Sequence, residues 1–294
     1  MDFDYSDIVP VDLNTETPQL CQIIYSDEYK LIMGKLLSLM KQKEYSLRAL
    51  NLTSLGIEQL ASHYTTWIYR YDIINNLPNF DYYSELDWCE QIALDNEKNY
   101  QIWNYRQLII EKIGFDNYDP IREYPIMEAM LDGDNKNHHV WSFRKWLVEK
   151  FNMFESEKEV EFVSNMIELD VKNNSAWCHR FFLRFNNEKN VKSEIEYVKE
   201  KIELCPQNAS TWNYLIGIFE KFDLEITELK EFCFKFLNLD DDKVSSSFAL
   251  ETLAKIYIIE DDKESAIRMY TLLKEKYDPI RCNYWNFKIS TIEN

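Results

Sequence analysis

Between residues 64 and 222 the apolar positions return in steps of three and four, the spacing of one face of an α-helix, and the periodic stretches come in pairs parted by short polar loops. The second member of each pair is typified by EKEVEFVSNMIELD and KSEIEYVKEKIELC. The first opens at a recurring motif. SHYTTWIYR, KNYQIWNYR, KNHHVWSFR, KNNSAWCHR and QNASTWNYL register on Trp67, Trp103, Trp141, Trp177 and Trp212, at steps of 36, 38, 36 and 35 residues. That period predicts one helical hairpin per repeat and an all-α solenoid in which each hairpin buries its apolar face on the next.

Asn99, Asn137, Asn173 and Asn208 each stand four residues before their Trp. An Asn oxygen accepts a free backbone N–H, so these residues are expected to cap the first helix of each hairpin. Asn99, Trp103 and Arg106 follow i, i+4, i+7 and share one helix face, as do their counterparts. Trp67 with Arg70, Trp141 with Arg144, and Trp177 with Arg180 therefore read as framework between hairpins. A buried Arg needs compensation, and the expected partners are the acids closing the preceding helix, Asp95, Asp132 and Asp170, or that helix's free carbonyls.

Trp285 lies 73 residues past Trp212, close to two periods, with the helical stretch SSSFALETLAKIYIIE between them, which reads as decayed terminal repeats. Before the first motif, YKLIMGKLLSLMKQK and LRALNLTSLGIEQLA form a capping helix pair. Residues 1–25 are irregular and Pro-containing, an extended or flexible arm. Residues 26–294 then form a single helical-repeat domain.

Composition narrows the function classes. With 33 basic and 51 acidic residues the net charge is −18, which opposes binding to nucleic acid or to anionic lipid. The six cysteines form no Cys-x-x-Cys pair and do not cluster with the four histidines, so no zinc site is expected on this chain. The cysteine usage fits a reducing, cytoplasmic setting, and no stretch is long and apolar enough for stable membrane insertion.

Helical hairpins of this period also occur in tetratricopeptide repeats, but the Leu-Gly of that signature is absent. The order Asn, then Trp four later, then Arg three later, preceded by Leu-Asp and often Lys, instead resembles the protein prenyltransferase α-subunit repeat. DIVPV, IIYSDEY, SLRALNLTSLGIEQL, EKNYQIWNYR, DNKNHHVWSFRKW and DVKNNSAWCHRFF extend that resemblance over most of the chain. They favour the branch shared by farnesyltransferase and type I geranylgeranyltransferase over the Rab geranylgeranyltransferase branch. A non-catalytic peptide-binding scaffold is the alternative of a different class.

The resemblance implies a right-handed superhelical crescent wrapped around a separate β subunit. That partner would hold the catalytic zinc, with magnesium a further candidate at the diphosphate. It implies transfer of a farnesyl or geranylgeranyl group from an isoprenoid diphosphate to a cysteine thiolate of a CaaX-type protein. Negative charge builds on the departing diphosphate, and a fixed cation there contributes about 3 to 4 kcal/mol, by analogy with oxyanion donors. By the same resemblance Lys98 is the lysine that reaches the diphosphate. Tyr100 lines the active-site side and Gln101 meets the peptide carboxylate. His139 lies near diphosphate and peptide, and Tyr64 near the product exit. His138 stands where the family usually has Tyr. Lys136 and Lys172 occupy the same repeat position as Lys98, so only the resemblance singles Lys98 out.

Overall fold

The structure, a computed structural model, describes residues 3–13, 20–21, 23–186, 190–238 and 243–293. Among these the architecture is all-α apart from one antiparallel pair of two-residue strands, Leu237–Asn238 with Lys243–Val244. Contacts divide the chain into two compact units, Met1–Asn152 and Met153–Asn294, where the repeat pattern alone suggests one domain. A solenoid permits such a division because each repeat touches only its neighbours.

The first unit holds α1 (Asp27–Gln42), α2 (Leu47–Gln59), α3 (Tyr64–Asn76), α4 (Tyr82–Asp95), α5 (Tyr100–Ile113), α6 (Tyr124–Gly133) and α7 (His138–Lys150). Helices α3, α5 and α7 pack in one row, and α4 and α6 pack beside them in another. The second unit holds α8 (Glu157–Leu169), α9 (Asn174–Arg184), α10 (Val191–Leu204), α11 (Ala209–Lys221), α12 (Lys230–Phe234), α13 (Ser247–Ile259), α14 (Lys263–Leu272) and α15 (Cys282–Glu293). Trp285 lies on α15 and stacks on Tyr270 of α14 at 5.7 Å.

The capping asparagines do two things at once. Asn99 accepts the Gln101 N–H at 2.9 Å, and its Nδ2 donates to the Ala61 carbonyl at 2.6 Å. Asn137 accepts from His139 at 3.1 Å and donates to Glu97 O at 2.8 Å; Asn208 accepts from Ser210 at 3.1 Å and donates to Val171 O at 2.7 Å. Asn173 caps α9 through the Ser175 and Ala176 N–H groups. Each pair of bonds satisfies orphan helix donors and, at Asn99, Asn137 and Asn208, ties a loop to its counterpart one repeat earlier.

The indoles lock the same loops. Trp67, Trp141, Trp177 and Trp212 each donate Nε1–H to the carbonyl six residues before, at 2.8, 3.0, 2.8 and 2.8 Å. Three of the repeat indoles meet the residue two after the next Trp. Trp67 lies 5.1 Å from Tyr105, Trp103 lies 5.0 Å from Phe143, and Trp177 lies 4.9 Å from Tyr214.

The expected acid partners of the arginines are corrected by the structure. Asp95 and Asp170 are not the carboxylates that meet Arg106 and Arg180, and Arg70 follows the same arrangement. The partners are Glu85, Glu123 and Glu194, which lie near the start of the following helix or just before it. Asp95 ends α4 on an exposed side, whereas these glutamates stand at or near the start of the second helix of the same hairpin and are buried. The arginines also reach carbonyls of the preceding helix, but near its start and not the free ones at its end: Arg70 Nη1 donates to Leu50 O at 3.0 Å and Arg106 Nη1 to Leu86 O at 2.8 Å. Arg144 is fully buried, with its guanidinium 5.0 Å from the Tyr124 ring.

Glu85 and Glu194 each take a further donor 20 residues on, and a fourth buried glutamate, Glu159 at the start of α8, meets a histidine at the same spacing. Tyr105 OH donates to Glu85 at 2.7 Å, Tyr214 OH to Glu194 at 2.8 Å, and His179 Nε2 lies 3.3 Å from Glu159, always 20 residues on. At Glu123 that place holds Phe143, which has no hydroxyl, and Tyr118 OH donates instead.

Residues 3–13 form neither helix nor strand yet are anchored. Ile8 is buried among Met33, Leu36, Leu39 and Leu52. Val11 N–H donates to Gly34 O at 3.0 Å, and Ser38 Oγ to Val9 O at 2.5 Å. A Cβ on Gly34 would fall 2.7 Å from Val11 O, so this close approach requires glycine. Residues 1–2, 14–19 and 22 of the expected arm lie outside the described residues.

Candidate functional site

The candidate residues gather at the entrances of three successive first helices. Tyr64, Tyr100 and His138 are the opening residues of α3, α5 and α7. Lys98 lies one residue before the cap Asn99, in a loop closed by Asn99 N–H donating to Asn96 O at 2.9 Å. The bond from Asn137 to Glu97 O holds this loop against the one that enters α7.

Lys98, Asn99, Tyr100 and Gln101, with Ser62, Leu94, Asp95, Asn96 and Glu97, line an open depression of about 640 Å³. The Lys98 side chain is 68% exposed, and its Nζ donates to Asp134 Oδ2. Asp134 is fixed by its other oxygen, which accepts the Lys136 N–H at 3.1 Å. The Lys98 ammonium first, and the Lys136 N–H next, hold the Asp134 carboxyl below the usual carboxylate range.

Tyr100 is 59% exposed, and its ring lies 6.4 Å from that of His139. Burial, then the charges of His138 and Lys98, press the His139 pKa down and favour the neutral imidazole. Gln101 is buried beneath them and donates Nε2–H to Ser62 O at 2.9 Å, which fixes which way its amide points. Tyr64 stands apart at the entrance of α3, exposed, its ring 6.5 Å from His63. The structure thus joins Lys98, Tyr100, Gln101 and His139 and leaves Tyr64 one hairpin away.

Sequence reading missed Ser62 and Asp134. Ser62 acts through its backbone and carries no signal. Asp134 had one, since it shares with Asp170 the place seven before a Trp. Chemically, an exposed ammonium beside the N-terminus of a fourteen-residue helix suits a multiply charged anion, because free N–H groups and the helix dipole add to the fixed cation. Among the described residues no three His, Cys, Asp or Glu side chains converge as a metal site.

Hairpins built on capped Asn, buried Trp and paired Arg define a prenyltransferase-type helical repeat. The protein prenyltransferase alpha subunit repeat matches residues 82–113, 121–151, 156–186 and 191–222. The chain is 59% identical to the protein farnesyltransferase/geranylgeranyltransferase type-1 subunit alpha of Candida albicans over 99% of this chain and 97% of that protein. The subunit of the same name from Dictyostelium discoideum is 32% identical over 99% of this chain and 93% of its own length. The solved structure of Candida albicans protein geranylgeranyltransferase-I complexed with GGPP contains a chain that superposes with a TM-score of 0.95, at 59% identity and 99% coverage of both. The chain belongs to the family of farnesyltransferase/geranylgeranyltransferase type-1 α subunits.

Proposed function

We propose that this chain pairs with a β subunit as one half of a CaaX protein prenyltransferase, and that Lys98 neutralises the diphosphate as it leaves the isoprenoid. The observation that carries the reading is the exposed Lys98 ammonium at the capped entrance of α5, beside Tyr100 and His139. Its chemistry fits a substrate with a diphosphate head, and the related Candida enzyme was solved with GGPP. In this reading Gln101, its amide oriented by Ser62 O, meets the peptide carboxylate, and Tyr64 borders the product's path.

The described residues of this chain do not fit a zinc site, and the zinc of this reading belongs to the β subunit. Farnesyl and geranylgeranyl donors are both compatible with this chain, and so is magnesium on the diphosphate. The enzyme of this reading works in the cytoplasm; separately, among the described residues no helix is long and apolar enough to cross a membrane.

The test is Lys98→Ala in the purified heterodimer, assayed by transfer to a peptide ending in Cys and three further residues. Turnover is expected to fall about 100- to 1,000-fold, the loss typical of one removed charge-stabilising donor. Near-normal turnover by an intact heterodimer would sink the assignment.

A further inference from the structure

The loop entering α7 contributes a carboxylate to a site that has to bind an anion, and the placement calls for a reason. Asp134 is held rigidly. Its N–H donates to Met130 O at 3.0 Å, its carbonyl accepts from Asn137 at 3.0 Å, and its Oδ1 takes the Lys136 N–H at 3.1 Å. Only Oδ2 is turned to Lys98. The two loops are braced by Asn137 Nδ2 on Glu97 O at 2.8 Å, so the distance between the carboxylate and the root of the lysine is fixed by the backbone.

Lys98 itself is a four-carbon stem with 68% of its side chain exposed, and Asp134 is 31% exposed. An exposed pair of this kind is weak and exchanges its partner readily. A rigid acceptor and a mobile donor make a resting position. The ammonium is parked at the rim of the depression, its rotamers already restricted, until a stronger anion takes it.

We propose that Asp134 is the resting counter-ion of Lys98, displaced when a diphosphate enters, so that Asp134 sets diphosphate affinity by competing for the Lys98 ammonium. This rests on the reading that Lys98 faces the diphosphate. Asp134 is on this account a positioning residue, acting through Lys98 and touching no substrate. An anion entering the depression must pull the ammonium off Oδ2, and the work done in breaking that pair is subtracted from binding.

Asp134→Asn isolates the charge, because the amide oxygen still accepts the Lys136 N–H and the loop keeps its turn. In the heterodimer, titration with inorganic pyrophosphate should show binding about two- to fivefold tighter than wild type, the range of an exposed ion pair. KM for the isoprenoid diphosphate should fall in step, with kcat little changed. The decisive measurement is the cycle with Lys98→Ala. In that background Asp134→Asn should give no further tightening. Equal tightening with and without Lys98 would mean that Asp134 merely repels the anion, and would overturn the proposal. So would unchanged or weaker pyrophosphate binding in the single variant. If Lys98→Ala binds pyrophosphate as wild type does, the assignment of Lys98 to the diphosphate fails as well; if Lys98→Ala weakens it and Asp134→Asn has no effect, only the counter-ion role fails.

Discussion

Arg106 and Lys98 lie eight residues apart around the start of α5, and each meets a carboxylate of its own hairpin or the next. The pairs could hardly differ more. Arg106 and Glu123 have side chains 1% and 0% exposed, joined through a two-pronged contact at 2.8 and 2.7 Å. Tyr118 OH adds a third donor to the glutamate, and Leu86 O takes the remaining prong of the arginine. Buried to this degree, the pair is out of a ligand's reach. Lys98 and Asp134 share one contact in open solvent, and the ammonium keeps two protons for other acceptors. Burial turns an ion pair into framework, whereas exposure leaves it exchangeable, and the chain uses the first to hold the second in place.

The largest effect should follow from breaking the buried pair. Glu123→Ala leaves the Arg106 guanidinium charged, buried and short of two acceptors, a change expected to destabilise the fold by about 3 to 5 kcal/mol. Denaturant titration of the heterodimer beside wild type measures it. Lys98→Ala should shift the same transition by less than about 1 kcal/mol, the upper range for an exposed pair. Comparable losses from the two variants would abolish the distinction between framework and site.

A finer test lies in the tyrosine donors. Tyr105→Phe removes the hydroxyl that meets Glu85, and Tyr118→Phe the one that meets Glu123. Each should lower stability by about 1 to 3 kcal/mol, the loss for a buried acceptor deprived of a donor. Both are measured by the shift in the denaturation midpoint. Phe143 explains why two different positions serve. Where the residue 20 after the glutamate lacks a hydroxyl, a tyrosine of the loop before α6 supplies it.

The framework was legible because it is written in period. Asn at four before Trp and Arg at three after it recur with the same types, and each type has one physical job: a cap, a large buried ring, or an inward cation. The glutamate partners escaped because they lie 15, 17 and 14 residues after Arg70, Arg106 and Arg180, a spacing that drifts with loop length. Asp95 and Asp170 keep a similar distance from the motif, 11 and 10 residues before Arg106 and Arg180, and are for that reason the misleading choice. The site was legible only in part. Lys98 shares its place with Lys136 and Lys172, so periodicity hides it and only family resemblance singles it out. Asp134 shares its place before a Trp with Asp170, but that spacing does not show that it meets Lys98, 36 residues away in another loop.

The smallest expected effect is also the most local. His139 is held below the ordinary histidine value of about 6.5 by burial first, and by the charges of His138 and Lys98 after it. The fold therefore favours the neutral ring. Any stability that follows is full above the ordinary value and is lost as pH falls through the folded pKa. His63 is lowered too, but by burial alone. Replacing Lys98 by Met removes one positive neighbour of His139 and leaves its burial, so the His139 midpoint should rise towards the ordinary value without reaching it. His63 should not move. Proton NMR titration of the two imidazoles in wild type and Lys98→Met reads both at once. An upward shift confined to His139 places the Lys98 charge at the entrance of α7, within reach of the site. A shift shared by both rings would mean that the substitution changes the protein globally, and the exposed lysine would then belong with the framework after all.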